Sequence, residues 1–167
     1  VPVLKKELGA VNDLAVPRIE KVVINAGVGR LAGDEKVLEQ VARDLALITG
    51  QKPVPTQAKK SIAAFKTRVG MVVGFKVTLR GKRMYDFITR LIRIALPRTR
   101  DFRGIDVSSV DGSGNLTLGV KEHIVFPEVS TEHARSIFGF EVTIVTNAKT
   151  RDQALALYRA LSFPLKK

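Results

Sequence analysis

Four stretches of this chain switch between apolar and polar residues every second position, and that period constrains the fold more than any other feature. They are Phe75–Arg80 (FKVTLR), Asn115–Lys121 (NLTLGVK), Gly139–Thr146 (GFEVTIVT) and, less cleanly, Arg18–Ala26 (RIEKVVINA). Each reads as a half-buried strand, because residues two apart share a face of a sheet. Phe75, Val77 and Leu79 therefore oppose Lys76, Thr78 and Arg80. Leu116, Leu118 and Val120 oppose Thr117 and Lys121; Phe140, Val142 and Ile144 oppose Glu141 and Thr143; Val22, Ile24 and Ala26 oppose Lys21, Val23 and Asn25. One face is apolar and needs a cover, and the other is polar and open.

Other segments repeat at helical spacing and can supply the cover. Val1–Leu14 reads as a short amphipathic helix ended near Pro17. Asp34 is placed to cap a helix carrying Val37, Leu38, Val41, Leu45 and Ile48, which Gly50 stops. Lys82–Leu96 buries Met84, Phe87, Ile88, Leu91, Ile92 and Ala95, with Pro97 expected to end it. Thr150–Gln153 fits a capping box ahead of Ala154, Leu157, Tyr158 and Leu161, and Pro164 closes that helix. Pro53 and Pro55 flank a short extended piece; Gly27–Gly33, Ala58–Gly74 and Arg98–Gly114 read as connections, the second a long basic loop. The expectation is an α+β fold in two layers: a mainly antiparallel or mixed sheet with helices on one face, in a single domain over residues 1–167.

Charge says what the open face is for. The 28 Lys and Arg against 16 Asp and Glu give a net charge of +12. Between Asp44 and Asp86 there is no acid, while Lys52, Lys59, Lys60, Lys66, Arg68, Lys76, Arg80, Lys82 and Arg83 all fall there. A second cluster holds Arg90, Arg93, Arg98, Arg100 and Arg103, with Asp101 as its only acid. Like charges over that length repel unless a polyanion neutralises them, which points to nucleic acid. Solvation alone accounts for Thr117, Thr143 and Glu141 on the open face, but less well for Lys21, Asn25, Lys76, Thr78 and Arg80, which combine charge with hydrogen-bonding capacity. The eight Phe and two Tyr place no aromatic clearly on that face, so backbone and minor-groove contact with folded RNA is expected rather than base stacking.

Other functions fare worse. The absence of Cys removes thiolate chemistry and metal–thiolate sites, and the two histidines, His123 and His133, are poor material for a metal centre. No apolar run reaches the length of a membrane span, and Lys5, Lys6 and Glu7 break up any signal sequence. The chain opens on Val1 rather than Met, so a few preceding residues are expected. Gly27, Gly29 and Ala32 satisfy a G-x-G-x-x-A pattern after a strand, but the cap at Asp34 falls beyond it, so a flexible turn is expected in place of a dinucleotide site. Glu122–His123 reads as a surface pair, and Asp111–Asn115 (DGSGN) as a hairpin turn rather than a calcium loop. A nucleotide-dependent enzyme and a basic peripheral membrane protein remain as alternatives; dinucleotide calorimetry tests the first, and the second needs an exposed apolar helix face.

Several long stretches carry a resemblance: PRIEKVVINAGVG (Pro17–Gly29), ITGQKPVPTQAKKSIAAFKTRVGMVVGFKVTLRGKRMYDFI (Ile48–Ile88), ALPRTRDFRGI (Ala95–Ile105), DGSGNLTLGVKEHIVFPE (Asp111–Glu128) and TIVTNAKT (Thr143–Thr150). In this order, over nearly the whole chain, they resemble the bacterial large-subunit ribosomal protein five family, which binds 5S ribosomal RNA in the central protuberance. The resemblance implies a cytoplasmic structural protein of the large ribosomal subunit, without catalysis or cofactor. It implies 5S RNA contacts through Lys21, Asn25, Gln51, Thr78 and Arg80, four of which already lie on the open face read from alternation. It implies contact of the loop about Ala58–Val73, through Lys59, Lys60, Lys66 and Arg68, with the elbow of P-site transfer RNA. The further partners implied are 23S ribosomal RNA, neighbouring central-protuberance proteins and, across the intersubunit bridge, small-subunit protein thirteen; no membrane is among them.

Overall fold

A computed structural model describes residues 4, 12–31, 33–129 and 136–166. Five strands form one sheet: β1 (Ile19–Gly27), β2 (Val54–Gln57), β3 (Val72–Leu79), β4 (Leu116–Val120) and β5 (Phe140–Thr146). Their order is β2-β3-β1-β5-β4, and every pairing is antiparallel. Of the antiparallel and mixed sheets that the sequence allows, the protein adopts the antiparallel one.

The alternating residues divide as expected. Val22, Ile24, Ala26, Val77, Leu79, Leu116, Val142 and Ile144 are buried beneath the sheet. They meet Val41, Leu45 and Ile48 of α1 (Glu35–Thr49), Met84, Phe87 and Ile88 of α2 (Gly81–Arg90), and Ala154, Leu157 and Tyr158 of α3 (Arg151–Ala160) in one apolar cluster. Full burial of each large aliphatic side chain contributes about 1.5–3 kcal/mol. At the start of β1 the pairing register shifts between Ile19 and Lys21. This bulge leaves Ile19 buried and Glu20 exposed, the reverse of strict alternation.

The caps read from sequence are present. Asp34 accepts from the backbone amides of Lys36 and Val37, and Gly50 closes α1 in the left-handed region at φ 69°. Thr150 accepts from the Gln153 amide, but the Gln153 side chain bonds the amide of Lys149 rather than that of Thr150, so the box closes one residue early. Pro97 does not end its helix. After α2 the chain takes a π-helical turn over Leu91–Ala95, the Leu96 amide reaches back to Leu91 O, and an α-turn runs on to Arg98. The wider turn comes just before Pro97, whose ring has no amide to offer an α-helical ladder. The expected N-terminal helix lies outside the described residues apart from Leu4 and Asn12–Leu14, and Asp13–Ala15 form a short 3-10 turn.

The long basic loop is the tip of a hairpin. β2 and β3 pair through Val54↔Lys76 to Gln57↔Val72, so β3 begins inside the stretch expected to be loop. Beyond the strands, Ala58 donates to Met71 O and Ile62 bridges Thr67. Pro55 is tolerated because β2 is an edge strand.

His123 corrects the expectation of a surface pair with Glu122. Its side chain is fully buried and stacks on Phe138, with ring centroids 4.1 Å apart. Its Nδ1 accepts from the Phe138 amide, which leaves the proton on Nε2, 3.5 Å from Asp44 Oδ2. Gln40 donates to the same carboxylate and to Ser136 O. Burial pushes the imidazole pKa below its ordinary value, and the Asp44 carboxylate opposes that shift. The DGSGN segment is the hairpin turn expected: Asp111 accepts from the amides of Ser113 and Asn115 and from the Asn115 side chain, holding its carboxyl below the usual range. Gly114, at φ 80°, has no room for a side chain, since an added Cβ would lie 2.8 Å from the Ala154 methyl.

Candidate nucleic-acid interface

The register places the residues of the open face in rows. Thr78 of β3 pairs with Val23 of β1, which pairs with Thr143 of β5, which pairs with Thr117 of β4. In the next row Lys76 stands beside Asn25, then Glu141, then Gly119. One step in the other direction, the same register brings Arg80, just past β3, level with Lys21. Neighbours within a row are about 5 Å apart and rows on one face about 7 Å apart. Lys21, Asn25, Thr78 and Arg80 thus occupy three successive rows of two adjacent strands.

Gln51 joins them from another element. Gly50 turns the chain out of α1, and the hydroxyl of Thr49 donates to Gln51 O. The Gln51 side chain then donates to Thr78 O at 3.2 Å. One end of the amide is thereby spent on holding Gln51 at the edge of β3, and its carbonyl oxygen remains to face a ligand. All five residues assigned to the face by resemblance come together. Asn25 and Arg80 are exposed, and Lys21, Gln51 and Thr78 are half-buried. Lys76, which alternation put on this face and the resemblance did not single out, is exposed beside Asn25.

The face is electrically divided. Among the described residues no carboxylate lies within ion-pairing distance of Lys21, Lys76 or Arg80. Nor do the side chains of Asn25 and Thr78 make a hydrogen bond within the chain, again among the described residues. Within its strands the β4–β5 half carries Thr117, Gly119, Glu141, Thr143 and Val145, with the exposed Lys121 just past β4, and its two threonine hydroxyls bond each other. The one charge within its strands, Glu141, sits directly opposite Asn25. The β1–β3 half is cationic, whereas the β4–β5 half is uncharged in the middle rows apart from Glu141 and carries Lys121 only at its end.

Lys59, Lys60, Lys66 and Arg68 are all exposed on the hairpin tip, away from the five residues above. Lys66 adopts φ 52° at the end of a short 3-10 turn, next to Phe65, which is 73% exposed. Sequence reasoning passed over Phe65; its signal was an aromatic in a segment with neither helical nor alternating partners. The G-x-G-x-x-A decoy is settled by topology. β1 is antiparallel to both its neighbours, only a short 3-10 turn over Gly29–Leu31 follows it, and α1 begins after Asp34, so among the described residues no α-helix opens at the glycines.

A sheet face with a cationic half that also presents amide and hydroxyl groups has the chemistry that suits contact with the backbone and grooves of structured RNA. That is the class of a structural ribonucleoprotein component. The chain belongs to the ribosomal protein L5 family: residues 12–68 match the family "Ribosomal protein L5", and residues 72–165 match the model of that ribosomal family's C-terminus. It is 54% identical to the large ribosomal subunit protein uL5 of Dichelobacter nodosus over 98% of this chain and 91% of that one. It is 49% identical to the protein of the same name from Desulfotalea psychrophila, over 100% of this chain and 93% of the relative. The corresponding protein of Idiomarina loihiensis is 51% identical over the same shares. The chain is therefore a structural, non-enzymatic constituent of the large ribosomal subunit in the cytoplasm, with ribosomal RNA as its partner.

Proposed function

We propose that the β1–β3 half of the open face binds 5S ribosomal RNA. Lys21 and Arg80 neutralise phosphates, and Asn25, Gln51 and Thr78 provide hydrogen bonds that read the shape of the groove and its 2′-hydroxyls. The observation that carries this reading is the meeting of unpaired cations and unbonded Asn25 and Thr78 side chains on adjacent strands. The lysines and arginine of the hairpin tip, Lys59, Lys60, Lys66 and Arg68, serve P-site transfer RNA, and another surface bridges to small-subunit protein thirteen. Family resemblance supports these two assignments, and the separation of the tip from the face is consistent with a distinct RNA contact. Residues 1–167 act as one RNA-binding domain, supported by strands from both family-matched segments sharing one sheet.

Filter binding to a 5S ribosomal RNA transcript tests the site. Asn25→Ala and Thr78→Ala should each weaken binding several-fold with the thermal melt unchanged, and Arg80→Ala should lower the log–log salt slope by roughly one. Full affinity in both alanine variants would refute the assignment. The double variant Lys59→Ala/Lys60→Ala should keep 5S affinity, and its loss would show that the tip belongs to the same site.

A further inference from the structure

Of the eight large apolar side chains that stand exposed among the described residues, three meet in one place. Ile62 and Phe65 belong to the hairpin tip, and Ile137, 57% exposed, lies just before β5. All three line a cleft of about 1440 Å³ between the tip, the Gly27–Gly33 turn and the Ser136–Gly139 segment. Small-molecule pockets run to about 1,000 Å³, so this cleft suits a length of polypeptide. Its walls are held from behind. The Val28 amide donates to Val73 O and the Ala58 amide to Met71 O. Gln40 donates to Ser136 O, and Phe138 stacks on the buried His123. The cleft is therefore preformed, with the buried Val28 and Phe138 at its floor.

The rim is cationic. Arg30, Lys59, Lys60 and Lys66 line the cleft, and among the described residues no carboxylate does. Nor does any of the four lie within ion-pairing distance of one, again among the described residues. An occupant must bring apolar side chains for the interior and anionic groups for the rim. RNA supplies only the second: Phe65 offers a base a stacking surface, but the branched aliphatics Ile62 and Ile137 do not. A bilayer takes up apolar side chains that project into it, and here they line a recess. A second copy of this chain carries the same +12 charge and is repelled. Strand addition has little backbone to use, because Val28 N and Ala58 N are already spent and Ala58 O accepts from Gly70 N. A helix arrives with its own backbone satisfied, and its i, i+3, i+4 and i+7 positions set apolar anchors along one side with acids flanking them.

We infer that this cleft is a docking groove for an acidic amphipathic helix of a partner protein. Apolar side chains of the helix pack against Ile62, Phe65 and Ile137, and its carboxylates face Arg30, Lys59, Lys60 and Lys66. None of the five residues assigned to 5S RNA lines the cleft, so a docked helix leaves the sheet face open. The three lysines are also among those assigned to transfer RNA, so a docked helix excludes that RNA from the tip. Helix docking needs only the cleft and its charge, whichever RNA the tip serves.

The test uses the full chain and a fluorescent probe, a synthetic helix of about 18 residues with Leu and Phe along one side and Glu flanking them. Anisotropy should show saturable binding, about tenfold or more tighter than that of a scrambled peptide of the same composition. The same helix with Lys in place of Glu should not bind. Phe65→Ser/Ile137→Ser, at two exposed positions, should weaken binding about tenfold or more with the thermal melt and 5S affinity unchanged. Arg30→Gln/Lys59→Gln/Lys60→Gln should weaken it about fivefold at low salt, a difference that added salt erases. Equal binding of the scrambled peptide would overturn the inference, since charge alone would then explain it. So would unchanged affinity in the serine variant. Loss of transfer RNA affinity in the serine variant, beside intact peptide binding, would assign the cleft to RNA instead.

Discussion

Replacing Arg90 by alanine should cost about 3 kcal/mol of folding stability and leave the salt dependence of RNA binding untouched. Arg90 sits at the end of α2 and is half-buried. One guanidinium nitrogen pairs with Glu128, and the other donates to Ile48 O at 2.8 Å. Ile48 O belongs to the last turn of α1, where helical geometry provides no amide partner. The side chain therefore caps one helix from another and pins the segment around Glu128 to both. Two charge-assisted hydrogen bonds at about 1.5–3 kcal/mol each set the upper range. Both ionic side chains are 27% exposed, so water recovers part of the loss and brings the figure to about 3 kcal/mol. With a urea m-value of about 2 kcal/mol per molar, the midpoint of unfolding should fall by roughly 1.5 M. The Oε2 of Glu128 is already buried without a hydrogen-bond partner among the described residues, so removing Arg90 strands a carboxylate. Arg90→Ala/Glu128→Ala should consequently be less destabilised than the sum of its single variants, by about 1–2 kcal/mol. Urea unfolding followed by circular dichroism, beside a 5S RNA salt titration, checks both halves. A midpoint shift under about 0.3 M, or a salt slope lowered by about one, would refute the reading of Arg90 as a structural clamp.

Two other perturbations follow from the same geometry. The His123 pKa is lower in the folded chain than its ordinary 6.5, so the unfolded chain binds more protons just below that pH. The stabilisation is present above pH 6.5 and fades as the pH falls below it; His123→Gln should flatten that limb in urea unfolding at stepped pH, and an unaltered pH profile would contradict the buried neutral imidazole. Glu141→Gln should tighten 5S RNA binding about threefold, since a carboxylate roughly 6–7 Å from a phosphate in water costs about 0.6 kcal/mol; equal or weaker binding would show that the β4–β5 half is not the boundary of the footprint.

The sheet was legible because FKVTLR, NLTLGVK and GFEVTIVT each carry their own period. No long-range information is needed to see that Val77 and Lys76 face opposite ways. The bulge at Ile19 to Lys21 was not legible, because it depends on how β5 pairs with β1. Arg90 looked like one more solvated cation, since its partners lie 38 and 42 residues away in the chain. The burial of His123 did leave a trace that went unused. Gln40 and Asp44 fall at helical spacing within the apolar stripe of Val37, Val41, Leu45 and Ile48. Polar residues in such a stripe require a buried partner elsewhere, and a histidine is a natural candidate. Of the interface, Lys21, Asn25, Thr78 and Arg80 could be grouped from alternation alone. Gln51 could not, because its link to Thr78 is made by tertiary folding.

The strand order also bears on when this protein becomes competent. β1 is made early, but its two neighbours are β3 and β5, one from mid-chain and the other from near the end. A nascent chain still short of Leu79 has no partner for Lys21 and Asn25, and one short of Thr146 leaves the far edge of β1 unpaired. The five residues of the proposed RNA-binding half are thus all made by Arg80, midway along the chain, but β1, which carries Lys21 and Asn25, gains its second neighbour only when β5 is complete at Thr146.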